Sequence, residues 1–215
     1  MLDRDQMERL TSCDGPAFRE LYQIYAASIA AREQKPEAWI CAMVRSPEYR
    51  VSVLKAGGHV TAFSILFLPQ AESFALLEYM AVAPEQRSHG LGSDVFKQSV
   101  AQAVRPDGRR LPVVLEVDSD REASADQHIR TRRQQFYRRL GCLRIVGLHY
   151  MLPLAGEGPV PEMDLMVYAA EGRPLPKADL KRWLRTIYRD VYHGSPDDPR
   201  IARMLGGVSE PVQLE

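Results

Sequence analysis

Arg87, Gly90 and Gly92 stand in the spacing Arg-x-x-Gly-x-Gly, between an apolar run that ends at Val82 and an amphipathic stretch that starts at Leu91. A chain passing from strand to helix through such a turn leaves backbone N–H groups without an intrahelical acceptor. Those donors and the positive end of the helix dipole form a site for an anion such as a pyrophosphate. Glycine lets the backbone approach the ligand with no Cβ in the way. A dinucleotide fingerprint would need a third glycine where Val95 stands, and an acidic residue after the next strand that is not clearly placed. Two carboxylates also call for chemistry. Glu78 and Glu116 interrupt apolar runs, where an unpaired charge is costly. Burial raises a carboxylate pKa and makes it a better base. Strand alternation could instead turn either one to a polar face.

The elements that must position these residues are legible in periodicity and turn residues. Asp14-Gly15-Pro16 reads as a helix start with Asp14 as the cap, and Leu21, Ile24, Tyr25, Ser28 and Ile29 share one face of that helix. Residues 36–44 predict a second helix after a polar connection at 30–35. Tyr49–Leu54 and His59–Leu68 predict a hairpin about Gly57-Gly58, and Phe74–Val82 a further strand. Leu91–Val104 predicts a helix, Val113–Val117 a short strand, 118–128 a polar loop, and Arg130–Leu140 a helix closed by Gly141. Leu143–Leu148 and Met163–Tyr168 predict the last strands. A weak strand is expected near Met7–Thr11. The order argues for an α/β sheet with helices on both faces.

At 215 residues the chain suits one domain with an extension. Its 28 basic and 28 acidic residues cancel, which points away from a general attraction to nucleic acid or an anionic membrane. Cys13, Cys41 and Cys142 are widely spaced, show no metal-ligand pattern, and fit a reducing compartment. The charged N-terminus is unlike a signal peptide, and no apolar run approaches the ~20 residues that span a bilayer. The expectation is a soluble cytoplasmic protein. The five histidines are scattered; His89 lies in the glycine turn and should point to solvent, while His149-Tyr150 could line a pocket. Arg130, Arg132, Arg133, Arg138 and Arg139 spread around one helix and read as a solvated face.

The turn at Arg87, Gly90 and Gly92 resembles the acyl-CoA-binding signature of the GNAT acetyltransferase superfamily, and Phe136-Tyr137-Arg138-Arg139-Leu140-Gly141-Cys142 resembles its second signature, Phe/Leu-Tyr-x-x-x-Gly-Phe. The strand endings Leu77–Val82 and Leu115–Val117 are similar to that family's as well. The resemblance covers roughly residues 5–170 and implies a GNAT-like mixed central sheet. It implies direct attack of an amine on the acyl thioester of acetyl-CoA, with no metal. The backbone of Arg87, Ser88, His89, Gly90, Leu91, Gly92 and Ser93 would hold the pyrophosphate. Met80, Ala81 and Val82 would hold the pantetheine arm, one N–H polarising the thioester carbonyl. Tyr137 would be the general acid, a phenol protonated at neutral pH. Glu78 or Glu116 would be the base, Glu78 preferred, or only an amine anchor. The family often carries Asn and Ala where this chain has Arg130 and Arg133, which puts one contact to the cofactor arm in doubt.

Residues 1–170 are therefore expected to form the acyltransferase domain. Residues 171–215 are expected to form a helical extension packed on it or on a second subunit, as in a homodimer. Leu180, Trp183, Leu184, Ile187, Tyr188, Val191 and Tyr192 make its apolar stripe. The acceptor, a small-molecule or protein amine, is not legible. A non-catalytic acyl-CoA sensor of the same fold is the alternative.

Overall fold

The computed structural model describes residues 6–87, 90–121, 123–153, 162–168 and 174–215. The chain divides into two compact units, Met1–Gln70 with Ala75–Leu111, and Ala71–Phe74 with Pro112–Glu215.

In the first unit, β1 (Glu8–Arg9), β2 (Tyr49–Ala56), β3 (His59–Phe67) and β4 (Ala75–Val82) pair antiparallel in that order. Strands β2 and β3 are joined by the two-residue turn Gly57–Gly58, both at positive φ, as the hairpin signal requires. Every residue of β3 after His59 is buried, because helices cover both of its faces. Phe63 packs against Tyr25 of α1 (Pro16–Ser28). Its neighbour Ala62 clusters with Val95 of α3 (Leu91–Ala101). Helix α2 (Glu37–Arg45) lies against β2. The cap of α1 is Gly15, with Pro16 at the first helical position. Asp14, expected to cap it, exchanges hydrogen bonds with Ser12 instead.

In the second unit, β5 (Val113–Asp118) pairs antiparallel with β8 (Glu162–Tyr168). The other edge of β8 is shared by β6 (Leu143–Arg144) near its end and β7 (Tyr150–Met151) near its start. The strand expected over 143–148 stops early, since Ile145 bridges Leu214 of the C-terminal tail and Gly147 turns the chain. Helix α4 (Gln127–Arg139) packs on β5. Residues 177–192 do not make one uniform helix. Helix α5 (Lys177–Thr186) passes into a π-helical turn, Ile187–Val191, and α6 (Pro199–Leu205) comes after it. The apolar stripe of α5 and the π turn is buried, with Phe74 against Trp183 at 5.2 Å.

The wide spacing of the cysteines, read as fitting a reducing compartment, conceals a bridge: Cys13 and Cys41 form a disulfide with Cα atoms 5.7 Å apart. Their separation of 28 residues hid the pairing. Cys142 is a buried free thiol, pushed up to about 12 by burial. Among the described residues, no helix is long and apolar enough to cross a membrane.

Candidate functional site

Strand β4 is interrupted at Glu78. Tyr79 pairs with Ile65 and Leu77 with Leu66, so Glu78 is the extra residue of a β-bulge. A bulge bends its strand and re-aims the residues beyond it. Residues 79–82 are partly exposed, whereas 75–77 are buried. The Ala83 N–H donates to the Thr61 carbonyl at 2.8 Å. Backbone groups alternate in direction along an antiparallel strand, so the N–H groups of Met80 and Val82 point away from β3. Their side chains pack towards the α3 cluster.

The glycine turn comes immediately after β4. Arg87 does not reach forward. Its Nε donates to the Val82 carbonyl at 3.1 Å and its Nη2 to Ser28 Oγ at 3.0 Å, bracing the turn against β4 and α1. Ser88 and His89 lie outside the described residues. Gly90 caps α3 at φ 81°, a left-handed conformation that a side chain would strain. The Ser93 and Asp94 N–H groups turn back to the Gly90 carbonyl. The amides of Leu91 and Gly92, the first two of the helix, have no helical carbonyl one turn behind them. Gly90, Leu91, Gly92 and Ser93 thus form the N-terminus of an eleven-residue helix, the geometry an anion requires.

Glu78 is not alone in its apolar strand. Lys35, from the segment between α1 and α2, pairs with its Oε1, and the two side chains are only 8% and 2% exposed. The Lys35 ammonium also sits over the Tyr79 ring, 5.8 Å from its centroid. The Lys35 N–H donates to the Tyr25 hydroxyl at 2.6 Å, and Tyr79 donates to the Glu33 carbonyl at 3.0 Å. Tyr25 and Tyr79 meet edge to face, and burial raises the Tyr25 phenol.

In the second unit Glu116 is partly exposed on β5 and accepts two phenols. Tyr150 donates to Oε1, and Tyr192 donates to Oε2 at 2.7 Å. Tyr150 is buried, and desolvation with the neighbouring Glu116 charge holds its phenol well above the usual range. Tyr192 stands just past the π turn, its N–H bonded five residues back to the Ile187 carbonyl. His149, by contrast, points out, its side chain 70% exposed beside Glu162.

Tyr137 lies half-buried near the end of α4, and burial pushes the phenol up to about 12 against the pull of Arg133. The Tyr-x-x-x-Gly-Cys spacing has a backbone reason. The Gly141 N–H donates to the Arg138 carbonyl and the Cys142 N–H to the Tyr137 carbonyl, each at 3.0 Å, with Gly141 at φ 91°. That is a Schellman closure, which needs a left-handed residue at this place. Arg130 pairs with Asp126 and Arg133 with Asp118.

Sequence reasoning did not find Lys35 or Tyr192 as partners of the two carboxylates. The readable signal was the charge itself, since a carboxylate in an apolar strand demands an answer. The answering residues stand 43 and 76 positions away.

The model of the acetyltransferase (GNAT) family matches residues 15–142. The chain belongs to the GNAT acetyltransferase family. No curated protein sequence is significantly similar to it. Among solved structures, a GNAT-family protein from Bacteroides thetaiotaomicron superposes with a TM-score of 0.69 at 19% identity, covering 87% of this chain and 98% of that one. The ribosomal-protein alanine N-acetyltransferase of Escherichia coli has a TM-score of 0.54 at 20% identity, covering 79% and 98%. A GNAT-family acetyltransferase from Elizabethkingia anophelis, with acetyl-CoA bound, has a TM-score of 0.51 at 15% identity, covering 77% and 97%. At these identities the likeness is one of fold.

Proposed function

We propose that the protein is an N-acetyltransferase that moves an acetyl group from acetyl-CoA directly to a primary amine. The observation that carries this reading is the start of α3, where left-handed Gly90 and the amides of Leu91 and Gly92 come after a bulged β4. These residues fit a pyrophosphate by charge and by the room Gly90 leaves, since a Cβ added there would meet nothing within 4 Å. Arg87 serves by bracing the turn. The N–H groups of Met80 and Val82, which point away from β3, suit the amide-bearing pantetheine arm, and one of them the thioester oxygen.

In the transfer, the amine nitrogen bonds to the thioester carbon, and the C–S bond breaks with its electron pair left on sulfur. An amine that arrives as its ammonium ion must lose one proton before attack, through Glu116 to solvent, and a second after the C–N bond forms, while sulfur gains one. Tyr137 is the donor towards sulfur. Its phenol at about 12 stays protonated at neutral pH. Full transfer to a thiolate, whose thiol titrates near ~8.5, is uphill by roughly three units. Tyr137 therefore stabilises the departing sulfur by hydrogen bonding, and its proton moves only as the acidic nitrogen supplies another. Glu116 is the carboxylate for the amine, because it is partly exposed. Glu78, buried against Lys35, holds the bulge instead.

Thiol release from acetyl-CoA across a panel of amines tests the reading. Amine-dependent release is expected in the wild type, falling by about 10²-fold in Tyr137→Phe with acetyl-CoA binding retained. Undiminished turnover in that variant would remove Tyr137 from the chemistry.

A further inference from the structure

We propose that Tyr192 is a positioning residue for the acceptor amine, through which the C-terminal segment completes an ammonium-binding carboxylate at Glu116. The inference rests on the acyltransferase reading above.

The two oxygens of Glu116 are held from two different elements, Oε1 by Tyr150 of β7 and Oε2 by Tyr192 after the π turn. Rotating the carboxylate would break at least one of these bonds. Its plane is therefore fixed. A fixed, partly exposed carboxylate is matched by a cation with N–H donors. A primary amine entering as its ammonium ion meets that description; a neutral or anionic acceptor does not.

The segment that delivers Tyr192 has no need of this bond for its own docking. Leu180, Trp183, Leu184, Ile187, Tyr188 and Val191 are buried. Thr186 donates to Glu72 at 3.2 Å, and Tyr188 donates to the Met151 carbonyl. Tyr192 is only partly buried. The widened turn before it changes the helical register, which sets the direction in which Tyr192 projects. Such turns are frequent at functional sites.

The test uses the full chain with acetyl-CoA bound and n-butylammonium as the probe. Binding is monitored by the ¹³C resonance of the Glu116 carboxyl, assigned by its loss in Glu116→Gln. The wild type should show a saturable shift. Tyr192→Phe, which removes only the hydroxyl, should bind the probe roughly 5- to 10-fold more weakly. Its acetyl-CoA affinity and melting temperature should be unchanged. With any amine that turns over, its KM for the amine should rise while kcat stays within about twofold. No Glu116 shift in the wild type, or equal probe affinity in Tyr192→Phe, would overturn the proposal. A fall in melting temperature with equal losses for both substrates would reduce Tyr192 to a fastening role, also against it. Absence of acetyl-CoA-dependent thiol release with every amine would count against the acyltransferase reading, and the probe titration would still decide whether Tyr192 orients Glu116.

Discussion

A carboxylate inside an apolar strand has to be answered, and the two such residues here are answered differently. Glu78 has a buried ammonium, Lys35, and Glu116 has two phenols. An ion pair removed from water is costly to half-dismantle, because the surviving charge stays buried. Glu78→Gln should therefore lose about 3 kcal/mol or more of unfolding free energy, read from urea denaturation. Lys35→Met combined with Glu78→Leu should recover most of that loss. A Glu78→Gln variant within about 0.5 kcal/mol of wild type would mean that the pair contributes little to the bulge. The contrast also separates the two carboxylates by setting. One is sealed by its partner, and the other is held in place yet partly open.

Elements whose ends depend on local backbone chemistry were readable from the sequence. The hairpin at Gly57–Gly58, the start of α3 at Leu91 and the closure at Gly141 all lie where glycine spacing put them. The features that were not readable depend on partners far along the chain. The strand after Leu143 ends early because the C-terminal tail takes Ile145, and the Cys13–Cys41 bridge joins residues with no local signature. The bulge at Glu78 is a two-strand property, visible only when β3 is laid beside β4. The π turn at Ile187–Val191 escaped because its apolar stripe fits an α-helix nearly as well. The start of α3 also carries a prediction. Gly90→Val places a β-branched residue at φ 81°, so it should weaken acetyl-CoA binding by about tenfold or more while the circular dichroism spectrum stays that of wild type. Unchanged affinity would show that the left-handed cap is not needed for the anion.

Buried phenols set the alkaline limit of the whole molecule. Tyr25, Tyr137, Tyr150 and Tyr188 are all raised by burial, Tyr137 to about 12. Unfolded tyrosines titrate near ~10. Above that pH the unfolded chain sheds protons that the folded chain retains. The stability these groups contribute is therefore complete below ~10 and is lost as pH rises through the folded values. Denaturation midpoints should begin to fall above about pH 8.5, where the unfolded Cys142 thiol titrates while the folded one stays protonated, and fall steeply from about pH 10 towards about pH 11. A midpoint that does not fall would contradict the enclosure of these hydroxyls. The central claim, that the start of α3 is a pyrophosphate site for acetyl-CoA, is tested most directly by calorimetric titration of the wild type and Gly90→Val with acetyl-CoA and with S-acetylpantetheine, which lacks the pyrophosphate and the phosphorylated adenosine beyond it, the variant losing affinity for acetyl-CoA alone. The account predicts saturable one-to-one binding of acetyl-CoA and binding of S-acetylpantetheine weaker by roughly 10²-fold, the worth of two charge-assisted hydrogen bonds. Equal affinity for the two, or no binding of acetyl-CoA, would contradict it.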